Sequence, residues 1–357
     1  MCSFLAQQVW SFGFIGWTIS MTTNYQKTIG FLLLSWLLAT ITIGMQTWIG
    51  DQTIYAKQLE KQREELHFGI LENRAPGGKG WTALGATSIQ KRVGIVYLAE
   101  SIRTHTGLTV AKIYKLLDTV FLFLGLLALY LYLKKWLPVS YSLLGVLYFC
   151  AVLPLTYFFQ LFHPWDRLQL VLWIGLLYLV AEKNYVVLIF CLCLSVLVKF
   201  DTILLPFLYF LVHADRKGWF KTGLETLVLL LVTFGTYIVL GQLFPSPVDG
   251  TYYNLQGALT TFWSNAQKLA DMNVRYPPLL VHALPVFLAL FFLSSKQRYV
   301  AASVAFALGL SAVYMVFSNY EEVRAHMVVL VLVLPSALLT LKRLMDSAAS
   351  KAPVVVA

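Results

Sequence analysis

Apolar residues in this chain run in solid blocks rather than in alternation. Blocks at 27–49, 114–133, 139–161, 168–182, 185–198, 202–213, 222–242, 279–295, 299–317 and 325–341 are broken only by short polar stretches. An apolar run of roughly 20 residues crosses hydrocarbon as a helix, because without water the backbone polar groups must be satisfied within the segment. A membrane barrel would show short alternating strands instead, which these solid runs exclude. The pattern therefore predicts an all-α, polytopic transmembrane helical bundle of about ten spans at that length criterion. Two blocks, 185–198 and 202–213, are short. The polar "VKFDT" between them marks either a broken pair or one long helix with an interruption.

The remaining segments divide the chain. Residues 1–26 form a lead-in whose first 22 residues carry no charge; Gln, Ser and Gly dilute them, and no basic region precedes them as in a signal peptide. They read as an interfacial segment, with an eleventh span as the alternative. After the first span at 27–49 comes a long loop, 50–113, then spans two to seven within 114–242, a second loop at 243–278, spans eight to ten within 279–341, and a tail at 342–357. The first loop opens with a polar helical stretch and a Gly/Pro-rich turn region. Val93, Ile95, Val96, Leu98, Ala99 and Ile102 then follow in an amphipathic pattern, with Lys91, Arg92 and Arg103 available to a polar face. That is a helix lying on the membrane surface or a soluble cap packed on the bundle. The second loop carries Tyr252, Tyr253, Phe262, Trp263 and Tyr276, which suit the interfacial aromatic belt or stacking on sugar rings.

Composition agrees with the pattern. Of 357 residues 59% are hydrophobic and only 12% charged, outside the range of soluble domains. Short cytoplasmic loops favour Lys and Arg. A cytoplasmic N-terminus collects Lys134, Lys135, Lys183, Arg216, Lys217, Lys221, Lys296, Arg298, Lys342, Arg343 and Lys351 on the inside and leaves the long loops on the opposite, extracytoplasmic face. The net charge of +10 then reflects anchoring at anionic membrane lipid and not nucleic acid, since dense basic clusters with interleaved aromatics are absent. Cys2, Cys150, Cys191 and Cys193 suggest neither a disulfide framework nor a zinc site.

With that topology both signs of charge gather on the outer side. Asp51 follows the first span; His163, Asp166 and Arg167 follow the third; Lys199 and Asp201 follow the fifth; Glu321, Glu322, Arg324 and His326 follow the ninth. Ionisable groups at membrane depth are costly, so such clusters are functional candidates by default. Lys199 and Arg324 can clamp phosphate oxygens, and carboxylates with imidazole can act as a base or hold a metal. The bland alternative for each cluster is a local ion pair solvated at headgroup level. Four clusters on one side favour a shared site.

A cytoplasmic N-terminus, one span, an acidic residue at once after it and a long outer loop with surface helices resemble the GT-C class of glycosyltransferases, multi-span enzymes whose donors are polyprenyl-phosphate-linked sugars. "GDQTIYAKQL" supplies the Asp51 and Tyr55 that commonly open that loop. "TGLTVAKIYKLLD", "VKFDTILLPFLYFL" and "NYEEVRAHMVVLVLVLPSALL" are similar to motifs in a group of bacterial membrane proteins of like layout. Lys199-Phe200-Asp201 departs in spacing from the Arg-Glu of that group.

The resemblance implies an inverting transfer at the outer leaflet to a glycan, lipid or protein acceptor. Asp51 would be the general base and Tyr55 a substrate contact. Lys199, Arg324 and Arg167 would hold the phosphate, with Asp201, Glu321 and Glu322 on the same rim. His163 and Asp166 would be the candidates for a divalent cation, Mg or Mn, or for a second carboxylate. Three alternatives stand beside it: an O-antigen polymerase or ligase, a transporter or flippase of lipid-linked glycan, and a non-catalytic envelope scaffold. A transporter would favour internal repeats and midplane polar groups.

Overall fold

A computed structural model of the chain describes residues 28–49, 56–73, 91–154, 163, 165–215, 218–245, 255–270, 277–291, 293, 297–317 and 323–351. Its helices are α1 Thr28–Ile49, α2 Ala56–Leu71, α3 Val93–Thr106, α4 Val110–Lys134, α5 Val139–Val152, α6 Asp166–Glu182, α7 Tyr185–Val196, α8 Leu205–His213, α9 Trp219–Leu243, α10 Leu255–Ala270, α11 Pro277–Leu290, α12 Arg298–Phe317 and α13 Val323–Lys351. A 3₁₀ helix, Phe200–Leu204, leads into α8.

The protein is a multi-pass helical membrane protein. Among the described residues five helices are long and apolar enough to cross a membrane: α1, α4, α9, α12 and the part of α13 from His326 to Ala348. The ten spans expected from the apolar blocks are thus corrected to five candidates among the described residues. Counting blocks overlooked where each helix stops. Helices α5 and α7, of 14 and 12 residues, extend about 21 and 18 Å at 1.5 Å per residue, against roughly 30 Å of hydrocarbon. With the 14-residue stretch Phe200–His213 they form a class of shorter apolar helices.

Local chemistry sets the stops. Helix α6 ends in a left-handed residue, Lys183 (φ 56°), and the Asn184 side chain caps α7 by accepting from the Val187 N–H. Helix α3 ends on Gly107 at φ 68°, a left-handed conformation that glycine adopts more readily than other residues, and Thr109 caps α4. "VKFDT" resolves as a broken pair: Lys199 is extended, the 3₁₀ helix follows, and Pro206 occupies the first turn of α8, where its missing N–H costs nothing.

Side-chain bonds define two ends of the bundle. At one end Gln46 of α1 donates to the Leu153 carbonyl just past α5 (2.9 Å) and accepts from Arg167 at the start of α6. At the other, Tyr299 of α12 donates to the Leu177 carbonyl (2.9 Å), His213 bonds the Val180 carbonyl (2.8 Å), and Lys135 pairs with Glu182. The main core fills the space between, with α11 and α12 packed on α13.

A second, smaller core lies under α2 and α3. Leu66 and Ile70 of α2, with Val93, Ile95, Val96 and Ala99 of α3, pack against Val110, Ile113, Tyr114 and Leu117 of α4 and against Trp165 and Val198. The buried apolar stripe of α3 therefore serves a cap on the bundle, one of its two anticipated uses; Leu98, counted in that stripe from sequence, is exposed. The approach is close. The Gly94 N–H donates to the Leu197 carbonyl at the end of α7 (3.0 Å), and a Cβ at Gly94 would lie 3.3 Å from that oxygen.

Candidate functional site

The capped end of the bundle is where the polar groups meet. The break between α7 and α8 places Lys199 and Asp201 side by side, Nζ to Oδ2 at 3.3 Å, with side chains 21% and 14% exposed. Helix α6 reaches this pair through two side chains one turn apart. Gln169 donates its amide to Asp201 Oδ1, and Trp173 Nε1 donates to the same oxygen at 3.3 Å. From α12, the Tyr314 hydroxyl faces the Asp201 carboxylate closely enough to interact with it as a hydrogen-bond donor. Thr202 bonds Ser195 at 2.7 Å, tying the turn back to α7.

Aromatic faces line the same end. Phe200 stacks on Tyr237 of α9 at 3.9 Å, and the Lys91 ammonium sits 3.8 Å from the Tyr237 ring centre. Trp165 takes the Arg92 guanidinium at 4.7 Å and the His163 ring at 4.9 Å. Beyond Tyr314 the rings continue to His326 of α13 (5.6 Å) and on to His282 of α11 (5.8 Å).

Of the residues singled out from sequence, Lys199 and Asp201 belong to one cluster. Arg167 is buried on α6 but serves another flank: two residues from Gln169, it points away from that side chain and meets Gln46 of α1. Asp166 has a local task, accepting the His163 backbone N–H at 2.8 Å in the first turn of α6, where a carboxylate also suits the helix dipole. Among the described residues no group of three or more His, Cys, Asp and Glu side chains is disposed to hold a metal ion. Asp51, Tyr55, Glu321 and Glu322 lie outside the described residues, as does the side chain of Arg324.

Gln169, Trp173, Tyr314 and His282 were not foreseen. Each is a lone polar residue inside an apolar block, and nothing in a linear pattern tells which neighbour it faces. The same holds for the polar bonds that seat the cap. Arg63 of α2 pairs with Asp118 of α4 at 2.9 Å. His67, fully buried, bonds the Glu100 carboxylate through Nε2 (3.0 Å) and the Tyr114 hydroxyl through Nδ1 (2.9 Å). Because the carboxylate can only accept, Nε2 carries the hydrogen and Nδ1 accepts from Tyr114. Burial holds His67 below its ordinary pKa of 6.5, and hydrogen bonds from Arg103 and His67 draw Glu100 from 4.5 down to about 2.

No protein-family model, curated protein or solved structure matches this chain.

Proposed function

We propose that this chain is an integral-membrane glycosyltransferase of the GT-C kind, moving a sugar from a polyprenyl-phosphate donor to an acceptor at the extracytoplasmic face of the plasma membrane. The observation that carries the reading is the Lys199–Asp201 pair, held in a helix break beneath a folded polar cap. A lipid-linked phosphate enters from the bilayer side and lodges near headgroup depth. A partly buried lysine there supplies the charge that a phosphate leaving group needs, and Asp201 balances it when no phosphate is bound.

In the reaction the acceptor hydroxyl attacks the anomeric carbon. Its proton passes to a carboxylate, for which Asp51 is the candidate from its position in the sequence. The bond between the anomeric carbon and the phosphate oxygen breaks, the electron pair leaves with the phosphate, and Lys199 stabilises that charge. One displacement inverts the anomeric centre. The described residues offer no metal set, and no step is assigned to a divalent cation.

The second reading, a transporter of lipid-linked glycan, draws on the same broken helix, since transporters bind substrate at such breaks. One experiment separates the two. Full-length protein in nanodiscs is supplied with labelled polyprenyl-phosphate sugars and a membrane acceptor extract, and Asp51→Asn is compared with wild type. Transfer that wild type performs and Asp51→Asn loses supports the enzyme. Absence of transfer across the donor panel, with movement of the donor across vesicles, overturns it in favour of transport.

A further inference from the structure

Lys91 leaves the cap just before α3 and lays its ammonium on α9, 3.8 Å from the centre of the Tyr237 ring. Phe200 covers one face of that ring at 3.9 Å, so the ammonium takes the other. One turn further along α9, Gly241 leaves it room: a Cβ there would lie 3.0 Å from Lys91 Nζ. At 1.5 Å per residue Tyr237 lies about 9 Å along α9 from its end at Leu243, so the charge is held against the flank of a candidate membrane span.

An ammonium carries three donors, and a ring face engages only one side of it. Among the described residues Lys91 has no carboxylate or carbonyl partner. A cation at that depth needs a counter-charge, and the bilayer is the available source. The neighbours of the notch are apolar. Phe234 and Ile238 adjoin Tyr237 and Gly241 at helical spacings of three residues, Leu231 continues the stripe below Phe234, and all three are exposed. The stripe runs from the ammonium toward the middle of the span. A charge with an apolar track beneath it fits an anionic head followed by an acyl chain, and the anion that a bilayer holds near its headgroup layer is phosphate.

We propose that Lys91, Tyr237 and Gly241 form a site for the phosphate of a membrane phospholipid, with one acyl chain lying along Ile238, Phe234 and Leu231. The site fastens the cap to the bilayer through α9. It needs neither Lys199 nor Asp201 and so does not rest on the transfer reaction.

The test counts lipids by native mass spectrometry on full-length protein moved into detergent from nanodiscs that contain phosphatidylglycerol. Wild type should keep a phosphatidylglycerol molecule. Lys91→Gln and Gly241→Ala should each lower that retention about 10-fold, the loss of one charge-assisted contact. Gly241→Ala is the cleaner variant, because alanine favours a helix interior and the atom its Cβ meets is the end of a flexible side chain; its unfolding temperature should not fall. Lys91→Arg should keep the lipid, and diacylglycerol, which lacks the phosphate, should not be kept. Absence of retained lipid in wild type, equal retention in Lys91→Gln, equal retention of diacylglycerol, or full displacement by inorganic phosphate would each overturn the site. Retention of polyprenyl phosphate in place of phosphatidylglycerol would overturn the phospholipid as its occupant.

Discussion

Arg63 on α2 donates to Asp118 on α4 at 2.9 Å, with side chains only 10% and 6% exposed, so the cap is pinned to the bundle by a nearly dry ion pair. Breaking such a pair from one side leaves an uncompensated buried charge and costs about 3–5 kcal/mol, whereas replacing both partners by apolar residues of similar size is close to neutral. Asp118→Ala should therefore speed hydrogen exchange across residues 56–71 and lower the unfolding temperature. The double variant Arg63→Met with Asp118→Leu should restore most of both.

The cap should also loosen on acidification, in two steps. His67 is neutral when folded and its pKa lies below 6.5, so below pH 6.5 the unfolded segment binds a proton that the docked one refuses. Stability is lost as pH falls from there through the folded pKa. Glu100, drawn down to about 2, stabilises docking fully above pH 4.5 and loses that contribution as pH falls toward 2. Hydrogen exchange of α2 measured from pH 8 to pH 5 should rise, beyond its intrinsic pH dependence, below about pH 6.5. His67→Gln should remove the first step.

Gly94 is a point of close approach between the cap and the end of α7. The atom a Cβ would meet is the Leu197 carbonyl oxygen at 3.3 Å, backbone that cannot turn aside. Gly94→Val should cost about 1–3 kcal/mol by overpacking and release α3, seen as new proteolysis between residues 91 and 106. Gly94→Ala should have the same sign and a smaller size.

The proposed orientation has a direct check. In a variant lacking the native cysteines, a cysteine at Thr104 in the cap should react with a membrane-impermeant maleimide added outside intact cells. A cysteine at Lys183, between α6 and α7, should react only after permeabilisation.

Much of the fold was legible because hydrocarbon demands long apolar helices. The first span, the long loop after it and the break at "VKFDT" all follow from runs of residue type. Helix lengths were less so: apolar character persists through a connector, and Leu153 and Pro154 read like the helix they terminate. In the site, the neighbours Lys199 and Asp201 were visible because a charge next to an apolar block stands out. Gln169, Trp173 and Tyr314 join them across sequence separations of 28 to more than 100 residues. Arg167, grouped with them because its loop falls on the same membrane face, meets α1 instead, since two steps along a helix turn it about 200° from Gln169.

The measurement that bears most directly on the proposed enzyme is the initial rate of sugar transfer from a polyprenyl-phosphate donor in nanodiscs, wild type against Lys199→Gln, with both proteins matched for unfolding temperature. Loss of one charge-stabilising contact to the leaving group should lower kcat by about 10²–10³-fold, with a smaller change in KM. An active wild type whose kcat is unchanged in Lys199→Gln would contradict the assignment of this cluster as the catalytic site.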